Sequence, residues 1–366
     1  MARHHTIISR NNGEDVSKNK TSHNTEFIDP LIEAQSIKLW NATTGEFDNL
    51  LEKYKDYCKP MYYYTPDFKA EGRRVSEVSP NRGIYGPVVI GGDDAEVGEI
   101  PHMGAIGWLS SGSALWIFKC GGVLISEKFV LTAAHCSRVT SRDTTVIDVT
   151  PKVVRFGSVN LLGVDKNGIS PEDVRISRVI VHDKYHAPKT YYDIALIELI
   201  NHVSFTRSIH PACLWTKDNE LSGKGIVAGW GVVDTASRRT SSILQVAVMD
   251  MVPSEKCNNT LKSKRNRHWR HGLASHQICA GHMPGGIDAC QGDSGGPLHI
   301  KLLMPINIHF EWRMHYVVGV TSFGYGCALA NTPSVFSKVS HFIDWIENIV
   351  WEKDVNATLK AKIKNK

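Results

Sequence analysis

The chain has 366 residues, 42% of them hydrophobic, enough for two domains or for one large domain with an appendage. Its net charge of +5 is too mild to argue for a nucleic-acid or membrane-surface partner. No run approaches the roughly 18 consecutive apolar residues of a membrane-spanning helix, so none is expected.

Residues 1–87 are polar and hold one cysteine, Cys58. The opening MARHHTIISRNNGEDVSKNK starts basic but lacks an apolar h-region, so it is not a signal peptide. Leu50–Tyr57 (LLEKYKDY) has the spacing of a short amphipathic helix. The charged stretch 62–87, punctuated by Pro and Gly, reads as linker. From Val88 the texture changes to short apolar runs between turn residues: VVIGG, GAIGWL, GGVLISEKFVLTAAHC, DIALIEL, GIVAGWG, LQVAVMDMV, YVVGVTSFG and VFSKV. That is the style of an all-β domain of many short strands. One helix is expected at the end, in HFIDWIENIVW, with Phe342, Trp345, Ile346, Ile349 and Val350 on one face.

Eight cysteines stand at 58, 120, 136, 213, 257, 279, 290 and 327. Their spacing matches no paired zinc pattern. By count alone they are either scattered buried thiols or four disulfides of an oxidising compartment.

Three segments carry chemistry. In GDSGGP, Gly292–Pro297, glycines let the backbone turn tightly around Ser294, so that the N–H groups of Gly292 and Ser294 point into one cavity and form an oxyanion hole. A serine hydroxyl also needs a base to take its proton. His135 in LTAAHC follows an apolar strand and sits beside a cysteine that would pin it. Asp193 leads the apolar strand DIALIEL, where a carboxylate needs a partner. Each segment alone has a bland structural reading. In the order His, Asp, Ser they match one of the known triad orders.

With VIGG, LTAAHC, DIAL, GWG, CAGHMPGGIDACQGDSGGPL and TSFGYGC, the chain from about Val89 to Trp351 resembles the chymotrypsin/trypsin family. PHMGAIGW and DWIENIV resemble the Snake-type arthropod proteases of extracellular cascades. The resemblance implies two six-stranded antiparallel β-barrels with a C-terminal helix, preceded by a poorly structured prosegment. The expected domains are a prosegment at 1–88, a protease domain at 89–352 and a basic tail at 353–366. His135, Asp193 and Ser294 would be the catalytic triad. This is the arrangement that general accounts of serine-protease chemistry use as their template. Ser322 would hydrogen-bond to Asp193 from behind, and Ser322–Gly324 would pair with substrate backbone. The family pairs Cys120 with Cys136, Cys257 with Cys279 and Cys290 with Cys327, and relatives with a tethered prosegment join the positions of Cys58 and Cys213.

The resemblance further implies a zymogen. A cut between Val88 and Val89 would free an ammonium on Val89 to pair with Asp293, ordering the oxyanion hole. Val88 before that bond calls for an activator that prefers small aliphatic residues. A cut after Arg82 is the runner-up. Asp288, six residues before Ser294, would form the base of a pocket for Arg or Lys, with Gly324 and Gly326 at its entrance. Ser334 stands where trypsin-like enzymes normally carry another pocket glycine. The implied partners are a protein substrate with Arg or Lys at the cleavage site, an upstream activating protease and serpin-type inhibitors, with neither nucleic acid nor membrane among them. No cofactor and no metal is expected.

Three features depart from the pattern. Snake-type relatives carry a six-cysteine clip domain, whereas only Cys58 precedes this protease region. An extracellular location is expected although no signal peptide is read here: either the N-terminus is incomplete, the favoured expectation, or the lineage has lost both clip domain and signal peptide. The stretch 262–272, KSKRNRHWRHG, holds five Lys and Arg and reads as a solvated loop ahead of an exosite. A non-catalytic protease homologue is the rival function, but such proteins usually lack a triad residue.

Overall fold

The computed structural model describes residues 92–163, 168, 170–234, 239–286, 292–304 and 312–351. The helix at Leu50–Tyr57, the linker, the prosegment boundary and the tail at 353–366 lie outside the described residues.

Two antiparallel barrels of six strands each make up the fold. The first contains β1 (Met103–Leu109), β2 (Trp116–Leu124), β3 (Phe129–Thr132), β4 (Val153–Phe156), β5 (Glu172–Val181) and β6 (Ala195–Leu199), closed in the order β1-β2-β3-β6-β5-β4. The second contains β7 (Lys224–Gly229), β8 (Gln245–Val252), β9 (Gln277–Gly281), β10 (Pro297–Met304), β11 (Trp312–Phe323) and β12 (Ser334–Lys338). Its strands run β8-β9-β12-β11-β10-β7, and pairing of β7 with β8 closes the ring. Closure removes the sheet edges that an open sheet would expose.

The apolar runs form strands because burial rewards them. MGAIGWL in β1 and FVLT in β3 are buried almost throughout. Val123, Leu124, Val130, Leu131, Val154 and Leu196 share the core of the first barrel. Val227, Met249, Ala280, Leu298, Val318 and Phe336 fill the second. Side chains fill the interiors, as small barrels require.

A short helix α1 (Ser254–Thr260) follows β8, and the chain ends its described part in α2 (Ile343–Val350). The terminal helix is shorter than its apolar pattern suggests, because Val339–Phe342 winds as a 3-10 turn. Phe342, Ile346 and Trp351 nevertheless bury together, and they do so in the core of the first barrel. The chain thus leaves the second barrel and straps itself onto the first. No described helix is long and apolar enough to cross a membrane.

Candidate active site

His135 stands on a single 3-10 turn, Ala134–Ser137, directly after β3. The Cys120–Cys136 disulfide ties this turn to β2. The His135 backbone N–H donates to Asp193 Oδ1 at 2.9 Å, and its ring Nδ1 lies 2.8 Å from Asp193 Oδ2. A carboxylate can only accept, so the ring proton sits on Nδ1 and the lone pair on Nε2.

Asp193 is 2% exposed, just before β6. Ser322 Oγ on β11 donates to its Oδ2 at 2.5 Å. Ser337 Oγ on β12 donates to its main-chain oxygen at 2.7 Å. Its carboxylate therefore receives the His135 N–H, the His135 ring and the Ser322 hydroxyl. Burial alone would raise the Asp193 pKa, but the His135 charge and these hydrogen bonds outweigh it and hold the group below the usual carboxylate value. Burial likewise pulls His135 down, and the Asp193 charge and hydrogen bond overcome it, leaving the imidazole above the ordinary 6.5.

Tyr192, the residue before, has left-handed backbone at φ 54°. Non-glycine residues reach that region at a cost, and stacking holds this one there. The ring lies between His182 and His276, with centroids at 5.3 and 4.1 Å. The Tyr192 N–H also donates to His276 Nε2 at 3.1 Å. Ser337, Tyr192, His182 and His276 are supports that sequence reasoning missed. No motif marks them, since each contributes only through where the fold puts it.

Ser294 lies across the seam. Its main-chain oxygen accepts the Gly121 N–H of β2 at 2.8 Å, and the next residue, Gly295, donates to Thr321 on β11 at 2.8 Å. The loop is thus tied to both barrels. The Thr132 hydroxyl, three residues before His135, donates to the Gly121 oxygen at 2.8 Å. Together these contacts bring the serine loop to the His135 turn. Among the described residues no hydrogen bond joins Ser294 Oγ to His135, and the amides of Gly292 and Ser294 donate to none of them.

Gly292 has φ +103°, and a Cβ there would come within 2.6 Å of the Gly231 Cα. Only glycine fits both demands. Asp293 is buried, and its Oδ1 accepts the Gly231 N–H at 2.8 Å. The GWG motif thereby shapes a slot for this carboxylate.

Ser334 is buried at the start of β12. Its Oγ is 2.8 Å from where a Cβ on Gly324 would stand, so the two positions face each other. Gly326 follows with φ +96°. Asp288, Val88, Val89, Cys58 and Cys290 lie outside the described residues. A second disulfide joins Cys257 to Cys279. Cys213 and Cys327 are disulfide-bonded too, and their expected partners are among the undescribed positions. In the 262–272 stretch, Trp269 is fully buried and donates to Gln277 Oε1 at 3.0 Å, while Lys262, Lys264, Arg265, Arg267 and Arg270 are exposed.

The model of the family described as Trypsin matches residues 89–346. The chain belongs to the trypsin family of serine endopeptidases. It is 35% identical to Serine protease snk of Drosophila melanogaster over 297 residues, 78% of this chain and 64% of that protein. It is 40% identical to Serine protease Hayan of the same organism over 267 residues, 72% of this chain and 39% of that protein. Proclotting enzyme of Tachypleus tridentatus is 31% identical over 292 residues, 77% of this chain and 73% of that protein. The chain therefore spans less than two thirds of the length of the first two relatives. This trypsin-family protease is of the arthropod Snake type, and its two barrels are those that the family resemblance implies.

Proposed function

We propose that the chain is the zymogen of a secreted, trypsin-like serine endopeptidase that cuts protein substrates after Arg or Lys in an extracellular cascade. The observation that carries the reading is the buried Asp193 holding His135 through ring and backbone at once. Ser294 attacks the peptide carbonyl while His135 Nε2 takes the hydroxyl proton. The tetrahedral oxyanion is received by the amides of Gly292 and Ser294. His135 then gives that proton to the leaving amine, and water repeats the sequence in reverse on the acyl-enzyme. Asp193 fixes the imidazole tautomer and stabilises the imidazolium. The absence of a Ser294–His135 hydrogen bond is compatible with this role, because such contacts tighten when substrate binds.

Activation is a cut between Val88 and Val89, whose new ammonium pairs with Asp293. Asp288 selects Arg or Lys, with Ser334 narrowing the pocket. The prosegment stays attached through Cys58 and Cys213. An upstream protease with a taste for small aliphatic residues makes the cut, and serpin-type inhibitors close the reaction. The disulfides support an oxidising, extracellular setting. The test is to secrete the full chain, treat it with an elastase-like protease and label it with an active-site serine phosphonate. Labelling that appears only after a new N-terminus at Val89 supports the reading. Labelling of a chain that begins at Gly83, or none after the Val89 cut, overturns it.

A further inference from the structure

Three histidines far apart in sequence meet at the seam between the barrels. His102 lies immediately before β1 in the first barrel, whereas His299 on β10 and His315 on β11 belong to the second. Their ring centroids are 5.0 Å apart in all three pairs. One ligand nitrogen from each ring lies within 4.8 Å of the other two.

His102 and His299 are fully buried, and none of their four ring nitrogens has a hydrogen-bond partner. Native interiors rarely leave even one buried polar atom unsatisfied, because each such atom destabilises the fold. Burial, helped by His210, drives the His102 pKa down to about 3, and burial with nearby His102 and Lys301 drives His299 well below its ordinary value. A neutral imidazole coordinates a cation through its lone pair, and among the described residues no protein group occupies the nitrogens of either ring. A β-bulge between Leu298 and His299 sets the side chain of His299 at this point of the strand. His315 is half-buried.

We propose that His102, His299 and His315 bind one zinc ion that staples the two barrels together. Three imidazoles and a water complete a tetrahedron with Zn–N distances of about 2.0–2.1 Å, which sets the nitrogens about 3.3 Å apart. Small ring rotations from the present spacing achieve this. The staple bears on the chemistry indirectly. His299 lies five residues beyond Ser294 on the same chain segment, and the main-chain oxygen of His102 accepts the Leu124 N–H from β2 at 2.8 Å, in the strand that also holds Cys120. Zinc at the seam thus fixes the spacing between the strand that follows the serine loop and β2, which is tied to the His135 turn through the Cys120–Cys136 disulfide.

The test uses the full chain, stripped with chelator and titrated with zinc by calorimetry and thermal unfolding. One tight zinc per chain is expected, with Tm raised by about 5 to 10 °C at a hundredfold excess over Kd. His102→Asn and His299→Gln should each weaken binding about 100-fold or more and remove the Tm rise. His186→Asn, at an exposed histidine, should keep both. Cobalt(II) in the wild-type chain should give the intense visible bands of a tetrahedral site, a readout that survives even if the variants fail to fold. A Tm rise absent in wild type, or equal in the His102 and His299 variants, overturns the proposal. So does a weak, octahedral cobalt spectrum.

Discussion

Asp193 and the His102–His299 pair are all buried polar groups at the barrel seam, yet the chain treats them oppositely. Every strong acceptor on Asp193 has a donor: His135 twice, Ser322 on the carboxylate and Ser337 on the main chain. The two imidazoles have none on any of their ring nitrogens. The first group is satisfied by the protein and is poised to hold a charge. The second stays neutral and is open to a ligand from outside. Burial alone therefore does not identify a role for a polar residue. The inventory of its partners does.

The largest expected effect separates chemistry from stability on the satisfied side. Ser294→Ala should lower kcat by about 10⁶-fold in the activated enzyme, with Tm essentially unchanged, because only a half-buried hydroxyl is removed. Near-normal peptide hydrolysis in this variant would remove Ser294 from the mechanism.

Asp193→Asn breaks the charge while keeping the shape. A loss of about 10⁴-fold in kcat is expected, as the imidazole takes the wrong tautomer. In wild type kcat/KM should fall as pH drops through the His135 pKa, with the midpoint above 6.5. The Asn variant loses the Asp193 charge that raises this pKa and keeps the burial that lowers it, so its acidic limb should move to lower pH. A limb that stays in place would mean Asp193 does not set the His135 titration.

A third variant probes the buried hydroxyl of Ser334, which faces Gly324 and which the proposed function sets in the substrate pocket. Ser334→Gly should raise kcat/KM on Arg substrates by about 10-fold, as 1–2 kcal/mol of transition-state binding is recovered. Unchanged activity would show that the serine is accommodated.

The two smallest effects sharpen the contrast directly, and both are read from urea unfolding. Ser337→Ala leaves the Asp193 oxygen without its side-chain donor and should cost about 1 kcal/mol of stability. His102→Leu, measured in chelator, should cost less than that or even stabilise, since it removes two unsatisfied nitrogens along with the ring. A large loss in the metal-free His102 variant would mean that the cluster is held by the protein after all.

Much of the site was legible because its chemistry is local in sequence. GDSGGP, LTAAHC and DIAL each place a residue of the expected triad beside a turn, cysteine or strand, and short apolar runs between turn residues announce an all-β domain of many short strands, whereas the two barrels are implied by the family resemblance. Local pattern likewise marked the terminal helix but not the 3-10 turn at Val339–Phe342, which interrupts that helix where Phe342 turns into the first barrel's core.

The sequence by itself determined the family, its reaction class and the order of the motifs, because residue type and near-neighbour spacing set out Ser294, His135 and the glycines around the serine. Tertiary structure alone decided which distant groups complete those parts. Ser337 reaches Asp193 across 144 positions, and His276 stacks on Tyr192 across 84. His102, His299 and His315 become neighbours only because the residue before β1 of one barrel meets β10 and β11 of the other. Such contacts depend on barrel closure and strand register, which arise from the packing of both cores at once, and no window of sequence contains them.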